Sequence, residues 1–144
     1  MSLYACPNGL PGQAITLETL ALKENTMTIQ RIETGPRMSQ AVVHNKTVYL
    51  AGQVAGDDAG VGVYEETRSI LANIDRLLAA AGSDKSRLLS ATIWLTDMDS
   101  FADMNRAWEA WVVPGATPAR ATVMSPRLAA AKYHVEIGVV AAQS

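Results

Sequence analysis

Two short stretches decide how this chain folds: Thr117-Pro118-Ala119-Arg120-Ala121-Thr122, and further on His134-Val135-Glu136-Ile137. Both alternate with the period of two that a β-strand imposes. In the first, Ala119, Ala121 and Val123 are apolar, and Arg120 and Thr122 point the other way. In the second, Val135, Ile137 and Val139 are apolar, and His134 and Glu136 share the opposite side. If the two strands are neighbours with their apolar sides on one core, Arg120 and Glu136 emerge on one polar face. Two outcomes are open there. One is a salt bridge on a solvated sheet face. The other is a site, in which the arginine grips a ligand carboxylate through two parallel hydrogen bonds and the glutamate holds or activates water.

Working outward, the pattern is clear from Met27. Thr28 to Glu33 reads as a short strand and Gly35-Pro36 as a turn. Ala41-Val42-Val43 and Thr47-Val48-Tyr49-Leu50 read as a hairpin around His44-Asn45-Lys46. Gly52 ends the second run, and Asp57 to Gly60 is loop. Tyr64 to Ala81 carries a stripe of Thr67, Ile70, Leu71, Ile74, Leu77, Leu78 and Ala81 at helical spacing, and Gly82 stops that helix. Ala91 to Leu95 is a strand. Asp99 or Ser100 caps a second helix running to about Val112, with Phe101, Met104, Trp108, Trp111 and Val112 on its stripe. The predicted order is β-β-β-α-β-α-β-β, a mixed sheet with two helices packed on one face, which is an α+β layer. The other face needs cover, and sister subunits arranged by point symmetry would supply it.

At 144 residues the chain is long enough for one domain with its own core. We assign residues 27–144 to that domain and residues 1–26 to an N-terminal extension of another character, with Pro7, Gly9, Pro11 and Gly12. The extension has no basic region, no continuous apolar run and no arginine, so it makes a poor secretory signal or transit peptide. It also makes Met27 a candidate start. No apolar run reaches the roughly 18 residues that span a bilayer. A net charge of −2 gives no electrostatic footprint for nucleic acid. Cys6 is the single cysteine, so no intrachain disulfide or cysteine metal site is expected. A reducing, cytoplasmic setting fits that usage.

Asn105 falls at the edge of the second helix's stripe. It reads either as a satisfied amide bonding a nearby turn or as a support for the loop near Arg120. His44 reads as a hairpin-tip residue. His134 reads as a bystander, or as a group near the cleft on the face of Glu136.

With these residues in view, a resemblance emerges. Tyr49-Leu50-Ala51-Gly52-Gln53, Asp103-Met104-Asn105-Arg106-Ala107-Trp108-Glu109-Ala110-Trp111, Pro118-Ala119-Arg120-Ala121-Thr122 and Val135-Glu136-Ile137 resemble the RidA (YjgF/YER057c/UK114) family across Met27 to Ala142. Asp97 to Phe101 and Trp108 to Val113 resemble its YoaB-like branch. The resemblance implies a chorismate-mutase-like fold and a homotrimer with clefts between subunits. It implies hydrolysis of reactive 2-imino acids to 2-oxo acids and ammonia, and it carries the older labels of translation inhibitor and endoribonuclease. Arg120 matches the arginine that pairs with the substrate carboxylate, and Glu136 the glutamate that positions water. Asn105 matches the helix asparagine, and Gly52 the glycine after the third strand. Four positions differ. Met38, with Arg37 beside it, stands where the deaminases carry tyrosine. Ala51 replaces a serine and Thr122 a common cysteine. Two hydroxyls are lost, and Arg37 adds a cation suited to a more acidic ligand.

Three functions follow as expectations. The first is an imine hydrolase, with Arg120 clamping the carboxylate and Glu136 orienting water; it needs no metal or cofactor, since the imine carbon is already electrophilic. The second is a trimeric binding protein for a small 2-oxo or related carboxylic acid. The third is an RNA-acting protein. The sequence disfavours it, because Phe101 and the Trp residues are best spent on the core and no basic-aromatic surface run exists. No membrane partner is expected.

Overall fold

The computed structural model of the chain describes residues 16–144. Most of the N-terminal extension, Cys6 and the Pro and Gly residues near it, lies outside the described residues. The elements are α1 (Leu17–Met27), β1 (Gln30–Thr34), β2 (Ser39–His44), β3 (Thr47–Leu50), α2 (Val63–Ala80), β4 (Leu88–Leu95), α3 (Phe101–Trp111), β5 (Ala119–Met124) and β6 (Val135–Ala142). From β1 onward this is the expected order. The addition is α1, a third helix. Its Leu17, Leu20 and Leu22 are exposed and give nothing to the core, which is why no apolar stripe announced it.

The six strands form one mixed sheet in the order β1-β2-β3-β6-β4-β5. Only β4 and β5 run parallel, joined by α3 as the crossover. Helices α2 and α3 cover one face. Ile70, Leu71, Ile74, Leu77 and Leu78 of α2 are buried against Val135, Ile137, Val139 and Ala141 of β6 and Ala91, Ile93 and Leu95 of β4. These β6 and β4 residues recur at every second position, as a strand buried on one face requires. Helix α2 ends as its sequence predicts. Gly82 takes a left-handed φ of 74°, its N–H reaches the Ala79 carbonyl, and the Ser83 N–H reaches Leu78, closing a Schellman motif.

Two expectations need correction. The hairpin loop is Asn45-Lys46 alone, both with positive φ; His44 closes β2 opposite Thr47, because a two-residue turn of this hand matches the strand twist. At the start of α3, neither Asp99 nor Ser100 caps with its side chain. The Asp97 carboxylate accepts from the Asp99 N–H at 2.9 Å, while Ser100 donates to the Asp97 carbonyl. A short 3-10 turn, Met98–Ser100, precedes the helix and moves the cap upstream. No helix among the described residues is long and apolar enough to cross a membrane.

Candidate functional site

β5 and β6 are not neighbours. β4 lies between them, and its registers place their polar residues. Arg120 sits beside Ala91 and Thr122 beside Ile93, whose side chains lie in the core under the helices. Glu136 sits opposite Trp94, between the buried Val135 and Ile137, and so points away from the helices. Arg120 and Glu136 therefore occupy opposite faces of the sheet. Neither the intrachain salt bridge nor the single-chain site forms. The alternation in β5 misled because β5 is an edge strand: Ala119, Ala121 and Val123 face solvent, and the polar residues turn beneath α3.

That turn gives Arg120 its setting. Its Nη1 donates to Asn105 Oδ1 at 2.8 Å, so the asparagine of α3 supports the arginine itself rather than a loop. The guanidinium lies 5.3 Å from the ring centre of Trp108 and 6.0 Å from that of Phe101, within range for cation–π attraction. Burial pulls the Arg120 pKa below its ordinary value, and the nearby Glu109 opposes this; an arginine stays charged regardless. No other acceptor meets Arg120 among the described residues. The fork is held from one side and open on the other. Thr122, two residues on and on the same face, has a buried hydroxyl oxygen with no partner. Phe101, expected in the core, is 38% exposed and forms a wall beside the arginine instead.

The second cluster surrounds Glu136. Gln53 N–H donates to the Ile137 carbonyl and Ile137 N–H to that of Gln53, which lays Gly52 across β6. A Cβ on Gly52 would fall 2.1 Å from Glu136 Oε1, so only glycine admits the carboxylate there. Glu136 has no hydrogen-bond or ion-pair partner among the described residues. Beneath it runs a network that sequence reasoning left without roles. Gln53, 5% exposed, donates to Gln40 Oε1 at 3.0 Å and to the Ala51 carbonyl at 2.9 Å. Asn73 donates to Gln53 Oε1 at 2.6 Å, and Arg76 reaches both Asn73 and Glu33. Gln40 leads back to the β1–β2 turn, closed by the Gly35 N–H on the Met38 carbonyl. Arg37 and Met38 are exposed on that turn, and Ala51 lies half-buried beside Gly52.

The candidate residues thus fall into two half-sites. Arg120, Thr122 and Asn105 belong to the β5 edge. Glu136, Gly52 and Ala51 belong to the opposite face, and Met38 and Arg37 lie on the β1–β2 turn, linked to that cluster through Gln40 and Gln53. From β1 to β5 is five strand spacings, about 24 Å.

His134 joins neither. Its ring turns back to α2, where Nδ1 meets Glu66 Oε1 at 2.7 Å and its backbone N–H donates to Oε2 at 2.9 Å. Glu66 is fully buried and also accepts from the Gly60 N–H. The signal for it was a carboxylate within the apolar stripe of α2.

The chain and its fold have relatives. The family model described as endoribonuclease L-PSP matches residues 28–143. The chain belongs to this family. The RutC family protein YoaB of Escherichia coli (strain K12) is 48% identical over 116 residues, covering 81% of this chain and 99% of that protein. The 2-iminobutanoate/2-iminopropanoate deaminase of Mus musculus is 34% identical over 110 residues, covering 73% of this chain and 80% of the enzyme. A solved structure of a YjgF family member from Neisseria meningitidis superposes with a TM-score of 0.79 at 44% identity, covering 83% of this chain and 98% of the other. The Asn105–Arg120 and Gly52–Glu136 pairs both lie within the stretch matched to the endoribonuclease L-PSP family.

Proposed function

We propose that this family member hydrolyses 2-imino acids to 2-oxo acids and ammonia at a site completed by two copies of the chain, in a homotrimer. One observation carries this reading: a half-open guanidinium and an unpartnered carboxylate sit on opposite faces of one sheet. Within one chain neither group completes the other. A head-to-tail contact, in which the β5 edge of one copy approaches the Gly52–Glu136 face of the next, brings them together, and repetition of such a contact closes a ring. The α-carboxylate of the substrate pairs with Arg120, whose fork suits bidentate recognition. Water held by Glu136 adds to the imine carbon. Glu136 takes one water proton and passes it to nitrogen, giving a carbinolamine; the remaining hydroxyl proton then moves to nitrogen by way of Glu136, the C–N bond breaks, and ammonia leaves as the carbonyl forms. The likeness to a protein named as an imine deaminase supports the reaction type.

The test is ammonia release from freshly generated 2-iminopropanoate. Wild type should exceed the spontaneous rate, and Arg120→Ala should lose most of that excess. A wild type no faster than the buffer removes the enzymatic reading.

A second reading has its own observation. Ala51, beside Gly52, brings no hydroxyl to the Glu136 side, and Met38 brings none to the β1–β2 turn, which fits a trimeric binder of 2-oxo or related carboxylic acids without turnover. An RNA-acting role has less support: Trp108 is buried, which takes its ring away from base stacking. We place the protein in the cytoplasm with no membrane partner, on its composition.

A further inference from the structure

Arg37 stands exposed on the β1–β2 turn, beside a hollow of about 380 Å³ lined by Glu33, Gly35, Pro36, Arg37, Met38 and Gln40. Among the described residues no carboxylate lies within ion-pairing distance of it. The acidic residue of the same hollow, Glu33, is already engaged. Arg76 of α2 donates to both its oxygens, at 3.2 and 3.1 Å. Arg76 is held in turn by Asn73 Oδ1 at 3.0 Å, and Asn73 by the buried Gln53. Glu33 also has a left-handed φ of 50°, unfavourable for a residue with a Cβ; the fork of Arg76 helps hold it there. The network therefore draws the one nearby anion toward α2 and leaves the guanidinium of Arg37 uncompensated. An arginine in that condition is a receptor for an acid group.

We infer that Arg37 is a specificity-determining residue that binds a second acid group of the ligand, so that the preferred substrates are 2-imino dicarboxylic acids. The inference rests on the site proposed above, with the β1–β2 turn, tied through Gln40 to Gln53, on the Glu136 side of the cleft and Arg120 of the next copy taking the α-carboxylate. Arg76 acts through Glu33 as a positioning residue.

Calorimetry on the intact assembly tests this, with 2-oxoglutarate and 2-oxobutanoate as stable probes. Wild type should bind 2-oxoglutarate roughly tenfold or more tightly than 2-oxobutanoate, the scale of one charge-assisted pair. Arg37→Ala should weaken 2-oxoglutarate about tenfold more than it weakens 2-oxobutanoate. Arg76→Ala should release Glu33 to neutralise Arg37 and lower 2-oxoglutarate affinity severalfold. Adding Glu33→Gln to Arg76→Ala should restore it, which a merely structural role for Arg76 does not predict. A wild type with no preference for 2-oxoglutarate, or 2-oxoglutarate affinity that ignores Arg37→Ala, overturns the inference. Failure of the underlying site reads differently: 2-oxobutanoate affinity would then ignore Arg120→Lys.

Discussion

At the scale of single residues, the arginine matters through its shape. Arg120 spends one N–H on Asn105 and offers the rest. Lysine would keep the charge but lose the fork, so Arg120→Lys should weaken 2-oxobutanoate by roughly 1.5–3 kcal/mol, about tenfold to 150-fold; equal affinities by calorimetry would remove Arg120 as the anchor. Gly52 makes a sharper case. A methyl group there meets the far end of the Glu136 side chain, which can swing aside. Gly52→Ala should therefore lower turnover about as much as Glu136→Gln while the thermal midpoint barely moves. A large loss of stability with normal turnover would show that the close approach is only packing.

Among the elements, α2 does more than cover the sheet. Its buried Glu66 ties the Gly60 loop and the start of β6 to the helix through three hydrogen bonds. Glu66→Ala leaves two backbone N–H groups to find other partners and opens a gap. The expected cost is roughly 2–4 kcal/mol, read as a lower urea midpoint at equal chain concentration. A change below about 0.5 kcal/mol would mean that water replaces the carboxylate. The boundaries of α2 were legible because its stripe and its glycine stop are local signals. The helix α1 was not, since its apolar residues face no core.

For the whole molecule, the face away from the helices is the open question. Tyr49 and Val123 lie on it, 50% and 42% exposed, with Val123 beside Trp94 and Tyr49 beside Val140. Light scattering should give about three chains per particle. Val123→Glu puts a charge on this apolar face, so the particle should fall to the mass of one chain and imine hydrolysis should vanish with it, while far-ultraviolet circular dichroism is unchanged. A monomer that still turns over would show that one chain suffices.

From β1 onward the strand and helix segments and the α+β class were legible in the sequence, and Arg120, Glu136, Asn105 and Gly52 could be named there as candidates, because periodicity and turn residues are properties of neighbouring positions. Which face each side chain takes was not. The alternation in Ala119 to Val123 was read correctly and its direction wrongly. A period of two says that residues differ in side, never which side is the core. That depends on register against β4, which sets Arg120 beside the buried Ala91 and Thr122 beside the buried Ile93. The same limit hid the Glu33–Arg76–Asn73–Gln53–Gln40 network and the Glu66–His134 pair, whose members lie up to 68 residues apart and meet only once the sheet has closed beneath α2.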